Sequence, residues 1–201
     1  MKKKGIAIAL LVAICGCACL SAGCKIEGKQ IKTYGINDFS VDTPADEILA
    51  ALKQSDYVIA EDCVCTHGFE YLKEFRKAVD KGKAAVLKFA HYYTLDPERV
   101  APEYFEQEKD SYPQISLGEL RYDGEYFYYT VRMSYESEPD PRENGARYKF
   151  FKYEHGEKLD HYYLVDNESV TMDDIMRQIY SSQILEHYDR YAFVMMIKNG
   201  K

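Results

Sequence analysis

The sequence contains no tryptophan, and only two of its six cysteines, Cys63 and Cys65, lie downstream of residue 24. The downstream part is therefore not a small scaffold held together by several disulfides. Positive charge is also scarce in this part. Residues 24–201 contain 23 basic and 33 acidic side chains, which gives a net charge of −10. A chain this acidic lacks the basic stripe that nucleic acids require, so we expect no nucleic-acid partner.

Recognisable catalytic motifs are missing as well. The sequence contains no serine nucleophile elbow, no zinc-protease helix motif, no phosphate-binding loop and no EF-hand loop. Carboxylates are abundant, but pairs such as Glu61–Asp62 and Asp173–Asp174 fit a strand end and a helix start. We therefore expect a protein that binds rather than an enzyme, and a carboxylate-dependent hydrolase is the hypothesis that the sequence favours least.

The long apolar run of the chain is at its N-terminus. Lys2–Lys4 are followed by 16 uncharged, mostly apolar residues over Gly5–Leu20, and then by Ser-Ala-Gly before Cys24. This order resembles a bacterial lipoprotein signal, which implies that Cys24 is the lipidated residue. The run is short for a spanning helix, which needs about 20 apolar residues. A plain secretory signal, an N-terminal membrane helix and cleavage at Cys17 are the alternatives.

The lipoprotein signal predicts a domain organisation and a location. We expect a signal peptide over 1–23, a lipidated tether over 24–41 and a single domain over 42–201. A diacylglyceryl group on Cys24 would hold the protein at the membrane, since multiple acyl chains anchor stably. The predicted location is the extracytoplasmic face of a bacterial cell membrane.

Apolar spacing and turn residues predict an α+β fold. The sequence favours helices over 43–54, 69–80 and 172–185, strands over 56–65, 84–95 and 188–198, a long loop or short helix over 96–113, a hairpin over 114–135 about Asp123–Gly124, and a hairpin over 146–165 about His155–Gly156. We therefore expect one domain, a mainly antiparallel sheet with about three helices packed on one face.

Several short motifs of residues 43–130 occur in the same order in a known group of proteins. They are Asp56–Ile59, His67–Gly68, the helix from Phe69, Lys81–Gly82–Lys83, Tyr92–Thr94 and Leu120–Gly124. This set resembles a family of small Gram-positive secreted lipoproteins that is classed as a domain of unknown function. The segment over 96–113 and the C-terminal half depart from that family. The resemblance implies a fold and a location on a Gram-positive bacterium, and it carries no catalytic residue.

Cys63, Cys65 and His67 are the sharpest candidate for chemistry. Side chains two residues apart share one face of an extended strand, so the three would project together. Two thiolates and an imidazole suit Zn(II) or Cu(I), with a fourth ligand such as His91 from a neighbouring strand. The alternatives are two buried thiols, which we favour and which leave the protein without a cofactor, and a Cys63–Cys65 disulfide or redox pair.

Aromatic residues recur on the predicted strands of the C-terminal half. Alternation places Tyr126 and Tyr128 on one face of the sheet, opposite to Phe127 and Tyr129. Aromatic residues follow on the next strands, including Phe151 and Tyr163. Cross-strand aromatic pairing is the simplest explanation of these residues. Tyr126, Tyr128, Phe151 and Tyr163 are nevertheless the best candidates for a surface that binds an unknown protein, a peptide or a cell-wall component.

Overall fold

Helices form where the sequence has apolar residues at helical spacing. The structure, a computed structural model, describes residues 31–139, 144–181 and 190–199. These ranges contain helices α1 (Ala45–Leu52), α2 (Phe69–Val79), α3 (Pro102–Glu108) and α4 (Met172–Tyr180), with a 3-10 turn at Lys109–Ser111. The predictions for α1 and α2 are confirmed, and α3 is the short helix that was one of two forms expected over 96–113.

The strands lie close to the predicted runs of strand-forming residues. They are β1 (Tyr57–Glu61), β2 (Val64–His67), β3 (Ala85–Tyr93), β4 (Gln114–Tyr122), β5 (Phe127–Met133), β6 (Ala146–Tyr148), β7 (Phe150–His155), β8 (Leu159–Val165) and β9 (Tyr191–Lys198). The hairpins β4–β5 and β7–β8 were both expected. The predicted single strand over 56–65 is wrong, because it consists of β1, a turn and the start of β2.

The strands form two sheets. One has six strands in the order β2-β1-β3-β4-β5-β6, and the other has three strands in the order β7-β8-β9. Neighbouring strands in both sheets are antiparallel, except that β1 and β3 are parallel. The chain connects β1 to β3 through β2 and α2. The expected α+β fold with mainly antiparallel pairing is confirmed.

The predicted strand over 146–154 is divided between the two sheets. Its first part, β6, pairs with β5 at the edge of the six-stranded sheet, and its second part, β7, pairs with β8. Lys149 lies between them and is exposed. The apolar pattern continues across Lys149, so the sequence alone shows no sign that the chain changes sheets here.

Three apolar clusters bury α1, α2 and α4 against different sheet faces. The largest cluster contains Leu72 and Phe75 of α2 together with inward side chains of both sheets. Helix α2 therefore packs against the core that lies between the two sheets. Ile48 and Leu52 of α1 belong to a second cluster with side chains of β1, β3 and β4. Ile175 of α4 belongs to a third, with residues of β8 and β9. The sequence had predicted that the helices pack on one face. In the structure, α1, α2 and α4 pack against different sheet faces.

Part of the predicted tether belongs to the folded unit. Tyr34, Ile36 and Phe39 pack against the cluster that contains α1. Arg132 of β5 is 2% exposed, and its guanidinium donates hydrogen bonds to the backbone carbonyls of Ile36 and Phe39 at 2.9 and 3.2 Å. The folded part thus includes residues assigned to the tether over 24–41. Cys24 and the predicted signal over 1–23 lie outside the described residues.

Candidate functional site

Cross-strand pairing arranges the side chains of one sheet face in rows. The face in question is the face of the six-stranded sheet that packs against α1, and we call it the outer face. Directly paired residues on neighbouring strands point to the same face. Successive rows on the outer face are Ile59, Ala90, Leu117 and Arg132; then Tyr57, Lys88, Glu119 and Thr130; then Val86, Arg121, Tyr128 and Arg147. The first row is buried beneath α1, whereas Arg121 and Arg147 of the third row are exposed.

The third row combines tyrosine rings with arginine side chains. The guanidinium of Arg121 lies 4.4 Å from the ring centroid of Tyr128, and that of Arg147 lies 4.4 Å from the ring centroid of Tyr126. Both distances are within the range of a cation–π contact. Tyr126 precedes Tyr128 by two residues and shares its face. We call Arg121, Tyr126, Tyr128 and Arg147 the arginine–tyrosine row.

The turn that follows β4 fixes one end of this row. A carboxylate oxygen of Asp123 accepts hydrogen bonds from the backbone N–H groups of Glu125 and Tyr126 at 2.9 and 2.8 Å. These bonds lower the pKa of Asp123, so its carboxylate is charged at neutral pH. Tyr128 also donates a hydrogen bond to Asp123, and this raises the pKa of the phenol. The phenol of Tyr128 therefore stays protonated and its ring is held in place.

The two arginines of the row are only partly compensated. Besides the backbone hydrogen bonds, the charge of Arg121 also lowers the pKa of the nearby Asp123. Among the residues that the structure describes, neither guanidinium forms an ion pair with a carboxylate. Lys88 in the adjacent row, by contrast, lies 3.4 Å from Asp56. Within the part of the chain that the structure describes, this patch of the outer face therefore presents two exposed arginines that have no salt-bridge partner. Such a patch can accept an anionic or polar partner.

The predicted aromatic surface is only half correct. The predicted division of Tyr126 and Tyr128 from Phe127 and Tyr129 agrees with the structure, in which Phe127 and Tyr129 are buried at 3% and 6% exposure. Tyr163, however, is 0% exposed, and its hydroxyl donates a hydrogen bond of 2.8 Å to Glu154. It lies in the cluster beneath α4, and burial raises its pKa. Tyr163 is therefore a core residue and not a contact residue.

Phe151 is also part of the packing between the sheets. Its ring centroid lies 5.6 Å from that of Phe75, 5.8 Å from that of Phe127 and 5.9 Å from that of Tyr162. These edge and tilted contacts are typical of buried aromatic clusters. Phe151 keeps some solvent exposure, but it lies on the opposite side of the six-stranded sheet from the arginine–tyrosine row. The four predicted aromatic residues thus do not form one surface.

A tight turn separates Cys63 from Cys65 and His67. Asp62 and Cys63 have φ angles of +46° and +73°, so the chain reverses there and β2 returns alongside β1. Cys63 is exposed in the turn, and Cys65 is 2% exposed in the core. The predicted projection of all three side chains from one strand is wrong. Both cysteines are free thiols, so the expectation of two buried thiols holds for Cys65 alone.

Cys65 and His67 do line a cleft at the start of α2. The cleft measures about 300 Å³, and its walls are Cys65, Thr66, His67, Gly68, Phe69, Glu70 and Ile197. The thiol of Cys65 donates a hydrogen bond of 3.6 Å to the carbonyl of His67. His91, the suggested fourth ligand, donates Nε2–H to the carbonyl of Val194 at 2.9 Å, since a carbonyl can only accept. Within the described ranges, no group of three or more potential ligand side chains is placed to hold a metal ion.

Sequence reasoning missed Arg121 and Arg147. The predicted two-residue turn at Asp123–Gly124 pairs Arg121 with Tyr126, whereas the observed turn is longer and pairs Arg121 with Tyr128. Either register leaves Arg121 on the face of the two tyrosines, because side chains two residues apart share a face. The signal was therefore present in the hairpin. Arg147 had no such signal, because its pairing with Tyr128 depends on the edge strand β6.

Comparison of the chain with models of protein families, with curated proteins and with solved structures gave no match. The resemblance to a family of Gram-positive lipoproteins therefore stays an expectation that depends on the short motifs alone. None of the helices in the described ranges is long and apolar enough to span a membrane.

Proposed function

We propose that this protein is a lipid-anchored binding module on the extracytoplasmic face of a bacterial membrane. The anchor would be a diacylglyceryl group on Cys24, which the order of residues 1–24 favours. The contact surface would be the arginine–tyrosine row. The single observation that carries the proposal is a pair of exposed arginines, each stacked on a tyrosine and each without a salt-bridge partner among the described residues.

The composition and the rigidity of the row both suit binding. Tyrosine and arginine are enriched among the residues that contribute most to protein interfaces. Each arginine is held by a ring, and Tyr128 is held by Asp123. A surface ordered before binding loses less side-chain entropy when the partner arrives. Such a surface needs no catalytic group to bind a partner.

Site-specific photo-crosslinking in intact cells tests the contact surface. The photoreactive residue p-benzoylphenylalanine replaces Val86, which is 52% exposed and pairs with Arg121. We expect a covalent adduct of defined mass that disappears when Arg121→Gln and Arg147→Gln are added. Tyr104 of α3, 46% exposed, is the matched control position and should give no such adduct. Identical adducts at both positions, or an adduct that the two substitutions leave intact, would argue against the proposal.

A separate experiment tests the anchor. Cells that produce the full chain are fractionated, and the wild type is compared with Cys24→Ser. We expect the wild type in the membrane fraction and the variant in a soluble fraction outside the cytoplasm, because a chain without the acyl groups has no stable anchor. Retention of Cys24→Ser in the membrane after a carbonate wash would contradict lipid anchoring. The analogous variant Cys17→Ser should behave as the wild type does.

A thiol- or metal-dependent function at Cys65 and His67 is the second candidate. The observation that favours it is the cleft that both residues line. Thiolate and imidazole are ligands that suit Zn(II) and Cu(I). The metal content of purified wild type and of Cys65→Ala, measured by elemental mass spectrometry, tests this candidate. A stoichiometric metal that Cys65→Ala loses would support it, and equal metal content in the two proteins would remove it.

A further inference from the structure

We propose that the arginine–tyrosine row binds a short acidic segment of a partner protein, with carboxylates paired to Arg121 and Arg147. This inference depends on the proposed function, because it names the ligand class of the same surface. Arginine presents a planar fork of donors that matches the two oxygens of a carboxylate. The row therefore offers two carboxylate sites rather than a diffuse positive charge.

The spacing of the two sites follows from the sheet. Arg121 is on β4 and Arg147 is on β6, and both pair with Tyr128 on the strand between them. Adjacent strands lie about 4.8 Å apart, so the two backbone positions are about 10 Å apart. A polyproline II segment places every third side chain on the same side at intervals of about 9 Å. The guanidinium groups themselves lie over the rings of Tyr128 and Tyr126, so both lean towards the central strand. Two carboxylates three residues apart in such a segment can reach both groups, because glutamate side chains are flexible.

The stacking of the row favours an anion over a neutral sugar. One face of each ring, Tyr126 and Tyr128, is covered by a guanidinium at 4.4 Å. A sugar ring that stacked on these faces would have to displace the cation. A carboxylate instead approaches the outer edge of the guanidinium and leaves the cation–π contact in place. The observed geometry is therefore ready for a charged group without rearrangement.

Charges around the row limit the length of the anionic segment. Asp123 and Glu125 are exposed in the turn at one end, and Glu119 lies in the adjacent row. These carboxylates are one or two residues from Arg121 or Tyr126 in the chain. Two residues of a strand span about 7 Å, which is less than the screening length of about 8 Å at physiological ionic strength. A long polyanion would place its next charges over them. A short motif with two carboxylates and neutral neighbours avoids this repulsion, and this favours a protein segment over a polyanionic polymer.

Val86 adds an apolar contact at the end of the row. It pairs with Arg121 on β3 and is 52% exposed, the largest exposure of any apolar side chain on this face among the described residues. An apolar side chain beside the acidic pair of the ligand would cover Val86. Burial of such apolar surface would add to the affinity that the two ion pairs provide. The ligand is therefore expected to be acidic with an apolar neighbour.

Fluorescence anisotropy with a defined peptide tests the inference. The probe is a fluorescein-labelled peptide, Val-Glu-Pro-Pro-Glu-Gly, and the protein is the full chain in a non-ionic detergent. We expect saturable binding that weakens up to about 25-fold when both glutamates are replaced by glutamine, since each of the two exposed ion pairs contributes about fivefold or less. Arg121→Gln and Arg147→Gln each remove one of these pairs and should each weaken binding by about fivefold or less. Arg99→Gln, a matched loss of an exposed arginine elsewhere, should change nothing.

Other outcomes would overturn the inference. Equal binding of the glutamate and glutamine peptides would show that charge is not recognised. Unchanged affinity in both arginine variants would place the contact elsewhere. Stronger binding of polyphosphate than of the peptide, per anionic group, would make a polyanionic polymer the ligand. If no peptide binds but the crosslinked adduct at position 86 still forms, the acidic ligand is wrong and the proposed function stands. If neither peptide binding nor the adduct is observed, both the inference and the proposed function are wrong.

Discussion

Tyr163 and Tyr128 are both strand tyrosines, but the structure predicts opposite results when each is replaced. Tyr163 is 0% exposed beneath α4, whereas Tyr128 lies on the open part of the outer face. We expect Tyr163→Ala to destabilise the domain strongly and to affect binding only by unfolding it. We expect Tyr128→Ala to leave the domain folded and to weaken binding at the arginine–tyrosine row.

The magnitudes follow from the contacts of each side chain. Removing a buried aromatic side chain costs about 3–5 kcal/mol of the free energy of unfolding, because it leaves a cavity. Tyr163→Phe should cost about 1–2 kcal/mol, since it removes the donor to Glu154 at 2.8 Å and to the carbonyl of Val170 at 3.4 Å. Tyr128→Ala removes a half-exposed ring and one cation–π contact, which together are worth about 1 kcal/mol or less.

Thermal unfolding followed by far-UV circular dichroism measures these differences, because the chain has no tryptophan to report by fluorescence. For a domain of this size, 1 kcal/mol shifts the midpoint by about 2–4 °C. Tyr163→Ala should therefore melt roughly 6–20 °C below the wild type. Tyr128→Ala should melt within about 4 °C of it. Equal midpoints for Tyr163→Ala and the wild type would refute the placement of Tyr163 in the core.

Three further predictions follow from packing, thiol exposure and a buried histidine. Gly118→Ala should destabilise the domain by about 1–3 kcal/mol in urea unfolding, because its Cβ would lie 2.1 Å from the ring of Phe89, and a stable variant would contradict this contact. Cys63 should react with iodoacetamide in the folded protein, whereas Cys65 should react only after unfolding. Partial burial and the charge of Asp62 raise the pKa of the Cys63 thiol, so the rate of its alkylation should keep rising above about pH 8.5. Burial lowers the pKa of His91, so the unfolded chain binds the proton more readily and stability should fall as the pH decreases through about 6.5. His91→Gln should reduce that loss between about pH 7.5 and about pH 5.5, and an unchanged slope would count against it.

The hairpin of β1 and β2 shows why part of the candidate site was not predictable. Its turn residues Asp62 and Cys63 adopt left-handed backbone angles that favour glycine or asparagine. The segment around Cys63 reads as one continuous strand because valine and cysteine suit strands. The carboxylate of Asp62 accepts hydrogen bonds from the backbone and side chain of Thr94 at 2.8 and 2.9 Å. This contact, 32 residues away in the chain, holds the turn, and no local pattern reveals it.

Alternation predicted the faces of β5 but not those of β8. One face of β5 is buried and the other is partly open, so the period of two separates Phe127 and Tyr129 from Tyr128. The strand β8 is covered on both faces, by the core between the sheets and by α4. Tyr163 is therefore buried although alternation places it opposite to a core residue. A pattern along one strand cannot show which later helix will cover its second face.

The contact between Arg132 and the N-terminal segment gives the last prediction. The guanidinium is 2% exposed and donates to the carbonyls of Ile36, Phe39, Ser134 and Glu136. Arg132→Met keeps much of the apolar stem but removes every donor, so we expect a loss of about 2–4 kcal/mol and faster hydrogen exchange over residues 34–39. Arg177→Met, which removes an exposed arginine from α4, is the matched control. Because the row that contains Arg132 is separated from the arginine–tyrosine row by one row of side chains, Arg132→Met should leave peptide binding within about twofold of the wild type. Unchanged exchange over 34–39 would mean that apolar packing alone holds this segment to the sheet.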